Sequence, residues 1–346
     1  MLAVSGLDDI GQVVPGKNEI YDPQTRTWSK APTRYFPTYP SFFLTGRDTV
    51  FYSGSNAGYG PADLGRQPGL WHIGSNAFTP VHGLKDPDIL ETSSSVLLPP
   101  AQDRKVMVLG GGGVGESPKA TARTAIIDLT ADRPSFVPGP DLPTKTRYLN
   151  SVIMPDDRVF TTGGSSDYRG RGASDILTAQ FYDPAKRAFV PAAAPAVGRN
   201  YHSEALLLPD GRVAVFGSDP LFSDKANTRL GRFEQRVEVY SPPYLYHGRR
   251  PELAADGQRA VAHGGRLTFR TADAGRIAKM RLIRPGSATH VTDFDQRSLA
   301  LRITRGHDRL TVRIPRDRAL VPSGWYMVFA VDTKGTPSKA VWVRVT

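Results

Sequence analysis

A unit of roughly 50 residues recurs through the first two-thirds of this 346-residue chain, and the repeat limits what the chain can fold into. Each unit reads as a short apolar run, a turn and a second apolar run that ends in glycine. Residues 152–164 and 206–217 are the clearest copies. The glycines that end successive units are 48, 57, 52 and 54 residues apart: Gly6, Gly54, Gly111, Gly163 and Gly217. Intervals this regular favour repeated units over an irregular sandwich.

Each copy is followed by a second pair of apolar segments, often around an Asp-Pro pair, as at residues 20–28 and 181–189. Turns of this kind between short apolar runs predict hairpins. Four short strands per unit at this period predict the blades of a kelch-type β-propeller. Residues 1–247 hold four to five such units rather than seven. We therefore expect an incomplete propeller, in a chain that begins inside a blade.

The period ends near residue 247, and alternating apolar and polar strands replace it. About a hundred residues with strands at this spacing predict an immunoglobulin-like sandwich over residues 248–346. The predicted strands lie at residues 266–270, 279–283, 299–303, 310–314, 325–331 and 340–345. The fold prediction is thus all-β, with two domains.

Composition supports this class and excludes others. The chain has 34 Gly and 29 Pro, which suits many turns and short strands. It has no apolar run long enough to span a membrane, and its N-terminus lacks the features of a signal peptide. The net charge is +11, but the arginines are scattered rather than interleaved with aromatic residues, so we do not expect a nucleic-acid partner.

The chain contains no cysteine. Disulfides, zinc–thiolate sites and thiol nucleophiles are therefore excluded within these residues.

Three residues are candidates for chemistry. Tyr201 and His202 directly precede the apolar run of one repeat, and His290 lies between two strands of the predicted sandwich. Two imidazoles and a phenolate form a nitrogen and oxygen ligand set suited to Cu(II). Neighbouring strand residues point to opposite faces, so Tyr201 and His202 can share a metal only at an irregular strand end. The residues alone leave a hydrogen-bonded or exposed histidine as the simpler interpretation.

Longer motifs add a resemblance. They are residues 199–213 (RNYHSEALLLPDGRV), 241–246 (SPPYLY), 250–251 (RP), 288–290 (ATH), 295–297 (DQR) and 324–329 (GWYMVF). In order and spacing they closely resemble the C-terminal half of the copper-radical oxidases, the galactose oxidase and glyoxal oxidase group. The resemblance implies an early-set C-terminal domain. It also implies that Tyr201 is the axial tyrosine and catalytic base, and that His202 and His290 are the equatorial histidine ligands of Cu(II).

The same resemblance implies a reaction. In that family a primary alcohol or aldehyde hydrate binds at copper, and the axial tyrosine accepts its hydroxyl proton. A tyrosyl radical on a second tyrosine, cross-linked to cysteine, takes the hydrogen atom, and O2 is reduced to hydrogen peroxide. Substrate identity does not follow, because residues 114–117 replace an aromatic and polar loop of galactose oxidase.

The chain departs from the family at the radical. Without cysteine the Tyr–Cys cofactor cannot form in these residues, and the position of the family's stacking tryptophan falls near Asp8. Tyr35 and Tyr39 occupy the matching point of a different repeat, and we expect neither to be a ligand. We therefore expect this chain to lack oxidase activity by itself.

Other signals are set aside. The glycine-rich segment 110–115 is not followed by a helix, so it predicts a blade turn rather than a dinucleotide site. Five further histidines have no partner at ligand spacing and are interpreted as surface residues: His72, His82, His247, His263 and His307. The polar loop 167–172 is interpreted as a solvated blade connection, with a place at the propeller mouth as the alternative.

The leading functional hypothesis is an oxidase that uses copper and O2 on a small alcohol or aldehyde, with carbohydrates among the candidate substrates. The alternative is a non-catalytic propeller that binds polysaccharide or a cell-surface partner. The resemblance implies an extracellular or cell-surface location for the complete protein.

Overall fold

The chain is almost entirely β-structure. A computed structural model describes residues 1–14, 16–56, 58, 65–257, 259–290, 292–293 and 295–346. In this part of the chain the strands are joined by turns and short 3-10 helices, with no α-helix. None of its helices is long and apolar enough to cross a membrane. The all-β class predicted from the sequence is confirmed.

Residues 2–240 form antiparallel sheets in which each strand pairs with its neighbours in sequence. The strands are β1 (Leu2–Ala3), β2 (Glu19–Asp22), β3 (Thr27–Lys30), β4 (Phe42–Gly46), β5 (Thr49–Tyr52), β6 (Gly69–His72), β7 (Ala77–Pro80), β8 (Ser94–Leu97), β9 (Lys105–Leu109), β10 (Thr124–Asp128), β11 (Phe136–Pro138), β12 (Asn150–Ile153), β13 (Val159–Thr162), β14 (Ala179–Asp183), β15 (Ala188–Ala192), β16 (Ser203–Leu207), β17 (Val213–Gly217) and β18 (Glu238–Tyr240). We name the sheets β1–β3, β4–β7, β8–β11, β12–β15 and β16–β18 blades 1 to 5. The kelch assignment and the blade count of the complete protein stay predictions.

Two glycines of the repeat, Gly163 and Gly217, lie where neighbouring backbone leaves no space for a side chain. Gly163, just after β13, has φ +72°, and a Cβ there would lie 2.7 Å from the carbonyl oxygen of Arg199, in the connection that leads to blade 5. Gly217, the last residue of β17, has φ +74°, and a Cβ would overlap the carbonyl oxygen of His202. Only glycine satisfies both the backbone conformation and the close approach.

Buried polar side chains join the first strands of successive blades. Ser94 Oγ lies 2.8 Å from Ser151 Oγ, which connects blade 3 to blade 4. Asn150 Nδ2 donates to Ser203 Oγ at 2.8 Å, which connects blade 4 to blade 5. All four groups are buried. Because a buried polar group is costly unless it is hydrogen-bonded, these pairs fix how one blade sits against the next.

The C-terminal part is a two-sheet sandwich. Its strands are β19 (Ala254–Ala255), β20 (Ala260–Val261), β21 (Arg266–Arg270), β22 (Ile277–Arg284), β23 (Arg297–Leu301), β24 (Ile303–Arg305), β25 (Arg309–Arg313), β26 (Gly324–Asp332) and β27 (Val341–Val345). One sheet has the order β19-β21-β25-β24 and the other β20-β27-β26-β22-β23. Inward residues such as Phe269, Val312, Leu282 and Val328 form one buried core. The division between domains at residues 247 and 248 stays a prediction.

Two glutamine side chains connect the sandwich to the blades. Gln296 donates to Ser151 O at 2.8 Å and accepts from Ile153 N at 2.9 Å, so its amide pairs with β12. Gln102 of blade 3 bonds the backbone of Ala300 in the same way, at 2.7 and 3.2 Å. The loop between β22 and β23 is therefore held against blade 4.

Candidate metal centre

Two histidines from distant parts of the chain meet. His202 directly precedes β16, and His290 lies in the loop between β22 and β23. Their Nε2 atoms are 2.8 Å apart, and their ring planes cross at 87° with centroids 4.5 Å apart. The structure thus brings together both histidines that the sequence singled out.

The second nitrogen of each ring is also engaged. His202 Nδ1 lies 3.3 Å from Asp219 Oδ2, and His290 Nδ1 lies 2.8 Å from Thr289 Oγ1. Because a carboxylate can only accept, a neutral His202 carries its hydrogen on Nδ1 and presents the lone pair of Nε2. A carboxylate behind a histidine in this way orients the ring as metal sites require.

The pKa of His290 is lowered to about 4. Burial of the ring is the largest cause, followed by the nearby His202 and the positive charge of Arg169. His290 is therefore neutral at physiological pH, which is the form that binds metals.

Tyr201 completes the cluster. Its ring centroid lies 3.8 Å from that of His202 and 5.3 Å from that of His290. The side chains of Tyr201 and His202 lie together because His202 has φ +56°, so the backbone is not yet extended before Ser203 begins β16. This is the irregular strand end at which Tyr201 and His202 can share one metal.

Arg169 and Asp219 support the cluster from the loop side. The Arg169 guanidinium lies 4.1 Å from the centre of the Tyr201 ring, a cation–π contact. Arg169 Nη2 also donates to Asp219 Oδ2 at 2.9 Å and to Asp219 O at 2.9 Å. The loop 167–172 was interpreted as a solvated connection. That interpretation is wrong for Arg169, which packs against the site.

Tyr39 covers the other face of His290. The two rings are stacked, with centroids 3.7 Å apart and planes 16° apart, and Thr292 Oγ1 donates to Tyr39 O at 3.3 Å. From the sequence, we placed Tyr39 in a different repeat from that of the family's ligand tyrosine and expected it not to be a ligand. A ring face offers no ligand atom, so stacking is consistent with that expectation.

A residue just before the first strand of each of blades 2 to 5 has the same left-handed backbone conformation. Tyr39, Thr92, Tyr148 and His202 have φ between +54° and +59° and lie one to three residues before β4, β8, β12 and β16. We call these four positions the sockets. Non-glycine residues rarely adopt this conformation, and it often marks functional sites. Two sockets contact His290 directly, since they hold Tyr39 and His202.

Comparison with known proteins decides the family. Residues 250–345 match the family described as galactose oxidase-like, early set domain. The chain is 31% identical over 256 residues to a galactose oxidase of Gibberella zeae, in an alignment covering 70% of this chain and 36% of that one.

The chain belongs to the copper-radical oxidase family.

Further relatives agree with this copper-radical oxidase assignment. Aldehyde oxidase GLOX1 of Arabidopsis thaliana is 28% identical over 229 residues, which cover 59% of this chain and 36% of that protein. A solved fungal alcohol oxidase of the AA5 family, in complex with copper, matches with a TM-score of 0.85 at 23% identity. That match covers 100% of this chain and 73% of the other, and shows the shared fold. The chain spans about a third of the length of these curated relatives (36%).

The donor set fits the copper cofactor that this family indicates. Imidazole nitrogens and a phenol oxygen are ligands that suit copper, and His202 and His290 direct the same ring nitrogen at one another. In the described part of the chain, no group of three or more His, Cys, Asp or Glu side chains is arranged around a metal position. A metal at this site would therefore depend on Tyr201 in addition to the two histidines.

Two carboxyl side chains, the half-buried Glu204 and the buried Asp293, lie close in sequence to the cluster of Tyr201, His202 and His290. Burial, together with the smaller effect of the nearby Asp293, raises the pKa of Glu204 to about 8. Burial also raises the pKa of Asp293 to about 6. Glu204 Oε2 is buried with no hydrogen-bond partner in the described residues.

The sequence did not single out Asp219, and it did not predict that Arg169 and Tyr39 contact the site. Asp219 follows the repeat glycine Gly217 by two residues, and a carboxylate at that offset is the signal that could have marked it. Among the remaining histidines, His82, His247 and His307 are exposed, as expected. His72 and His263 are half-buried and hydrogen-bonded, to Thr49 and to Val321 O respectively.

Proposed function

We propose that this chain supplies the axial tyrosine and both histidine ligands of a copper-radical oxidase acting on a primary alcohol or aldehyde. The 2.8 Å approach of the two Nε2 atoms beside Tyr201 carries the proposal. His202 and His290 would hold the metal through their Nε2 atoms, and Tyr201 would be the third ligand and the base.

Bound Cu(II) would acidify a coordinated hydroxyl and accept an electron in the oxidation. The protein's own residues prepare the site for this. Asp219 holds the Nδ1 hydrogen of His202, so its Nε2 lone pair faces His290. Burial keeps His290 neutral by lowering its pKa to about 4. His290 is then in the neutral form that metal binding requires, and the Nε2 atoms of the two rings face the same position.

Tyr201, held as a phenolate by the bound metal, would take the hydroxyl proton of the substrate on its phenolate oxygen. Its ring is fixed on one side by His202 at 3.8 Å and packed by Arg169 at 4.1 Å. Tyr148 meets it edge-on at 5.8 Å. A base held by three neighbours keeps its position during proton transfer, which is the condition for general-base catalysis.

The hydrogen-abstracting radical is outside what these residues supply. The chain contains no cysteine, so a Tyr–Cys cofactor would need residues beyond these 346. We propose that this chain is inactive by itself and that the complete protein works with O2 outside the cell.

The experiment is a Cu(II) titration of the metal-free chain, followed by electron paramagnetic resonance (EPR). We expect one Cu(II) per chain, with hyperfine coupling from two nitrogens. His202→Ala and His290→Ala should each remove one nitrogen and weaken binding at least about tenfold, and Tyr201→Phe should weaken it without removing a nitrogen. His307→Ala, at an exposed histidine, is the control. The proposal fails if all three variants bind copper as the parent does.

The non-catalytic alternative rests on the absence of cysteine. It predicts saturable glycan binding by blades 1–5 that is the same with and without copper. A chain that binds no Cu(II) but does bind a neutral glycan through these blades would favour it over the oxidase.

A further inference from the structure

All of the net charge resides in the C-terminal sandwich. Residues 248–346 contain 19 Lys and Arg against 8 Asp and Glu, a net charge of +11. Residues 1–247 contain 25 of each, a net charge of zero. Scattered arginines are an ordinary solvated surface, but an excess confined to one domain gives that domain a field of one sign.

The fold concentrates part of this charge on one sheet face. Strands β21 and β25 pair so that Arg266 faces Arg313 and Arg270 faces Arg309. All four are exposed, and the leucine, phenylalanine and valine residues between them point inward. Directly opposed side chains in an antiparallel pair lie about 5 Å apart, where like charges destabilise the sheet. The chain tolerates this repulsion twice on one face.

The two arginine pairs differ in their counter-charge. Asp256 lies 2.9 Å from Arg270 and 3.1 Å from Arg309, so one carboxylate bridges that pair. Within the described residues, no carboxylate forms an ion pair with Arg266 or Arg313. In the same part of the chain, the only side-chain hydrogen bond of either arginine runs from Arg313 Nε to Gly264 O at 3.0 Å. The Arg266–Arg313 pair is therefore open to an external anion.

Between the two arginine pairs the face carries hydroxyl groups. Thr268 Oγ1 lies 3.1 Å from Thr311 Oγ1, and Thr304 of β24 is next in register to Thr311. The outward positions of β21 and β25 hold only arginine and threonine. Without an aromatic ring this face offers no stacking platform for bases. Its hydroxyls and planar guanidinium groups instead match sugar hydroxyls and carboxylates.

We propose that this face, formed by Arg266, Thr268, Arg270, Arg309, Thr311 and Arg313, binds an anionic polysaccharide. The polymer's acidic groups occupy the Arg266–Arg313 pair, and its hydroxyls lie along the threonine row. A single exposed ion pair contributes little. A polymer with repeated acidic groups binds through several contacts at once, so its affinity exceeds that of any single ion pair. The proposal uses none of the residues of the candidate metal site.

The test is binding of the full chain to polygalacturonate at about physiological ionic strength, where the Debye length is about 8 Å. Neutral dextran and double-stranded DNA are the comparison polymers. We expect saturable binding to polygalacturonate and none to dextran. Arg266→Gln/Arg313→Gln should weaken it on the order of tenfold, and Asp256→Asn, which frees the second pair, should strengthen it. Lys17→Gln/Lys30→Gln removes the same charge from exposed positions in blade 1 and should change nothing.

Thermal unfolding separates loss of binding from loss of fold. Removing opposed like charges should leave the Tm of Arg266→Gln/Arg313→Gln equal to or above that of the parent. The proposal is overturned if both double variants weaken binding equally, because binding is then a general charge effect. It is also overturned if DNA binds more tightly than polygalacturonate, or if polygalacturonate does not bind.

Discussion

His202 and His290 bring their Nε2 atoms to 2.8 Å although they are 88 positions apart in the chain. One ring is fixed at the start of blade 5 and the other in a loop of the sandwich. The geometry of the pair therefore depends on how the sandwich docks on the blades.

Gln296→Ala tests this dependence. The substitution leaves Ile153 N and Ser151 O buried without their partner, at a cost of about 1–3 kcal/mol for each unsatisfied group. We expect a lower free energy of unfolding and, because the loop that carries His290 loosens, weaker Cu(II) binding. Urea denaturation and copper titration measure the two effects.

Gln102→Ala is its matched control. This side chain makes the same kind of two-bond contact, with Ala300, but it does not hold the His290 loop. It should lower the free energy of unfolding and leave the copper affinity unchanged. Equal copper affinity in both variants would contradict the docking argument.

Asp219→Asn should weaken Cu(II) binding about 10–100-fold, because a carboxylate behind a ligating histidine contributes that much to metal affinity. The asparagine retains the shape but loses the charge that holds the Nδ1 hydrogen of His202. Asp210→Asn is the control, since Asp210 also pairs with an arginine, Arg212, but in the turn between β16 and β17. The prediction is wrong if the two variants bind copper equally.

Glu204 should make the metal-free protein less stable as pH rises. Its pKa is raised from 4.5 to about 8 by burial and by Asp293, so the folded chain retains this proton more tightly than the unfolded chain. The free energy of unfolding then falls as pH rises from about 4.5 to about 8. Glu204→Gln should flatten this part of the curve of Tm against pH, whereas Glu19→Gln, at an exposed residue, should not. Parallel curves for parent and Glu204→Gln would refute the assignment.

The copper-loaded chain should form no stable tyrosyl radical. A Tyr–Cys cross-link cannot arise among residues that include no cysteine. After treatment with a one-electron oxidant we expect the Cu(II) EPR signal to persist, and no hydrogen peroxide to form from an alcohol or aldehyde. Loss of the Cu(II) signal together with peroxide formation would show that another residue supplies the radical.

Local sequence signals were sufficient for the strands. The hairpins around residues 152–162 and 206–217, and the alternation in residues 266–270 and 310–314, gave strands within a few residues of those observed. Such patterns work because side-chain direction and turn chemistry are set by near neighbours. The motif around Tyr201 and His202 likewise identified residues that come together in the structure.

The surroundings of the cluster could not be predicted in this way. Arg169 reaches Asp219 across 50 residues of sequence, and Thr292 reaches Tyr39 across 253. These contacts arise because blades and sandwich are packed side by side, and no local pattern encodes which side chains then meet. The loop 167–172 was misjudged for the same reason.

The four sockets at Tyr39, Thr92, Tyr148 and His202 share one left-handed backbone conformation. The backbone of blades 2 to 5 therefore presents a side chain in a similar way at each of these positions. The side chain alone sets the task of each: Tyr39 stacks on His290, Thr92 accepts a hydrogen bond from Arg147, and Tyr148 packs on Tyr201. A fold built in this way can gain, lose or move a ligand by one substitution while its strands and loops stay in place.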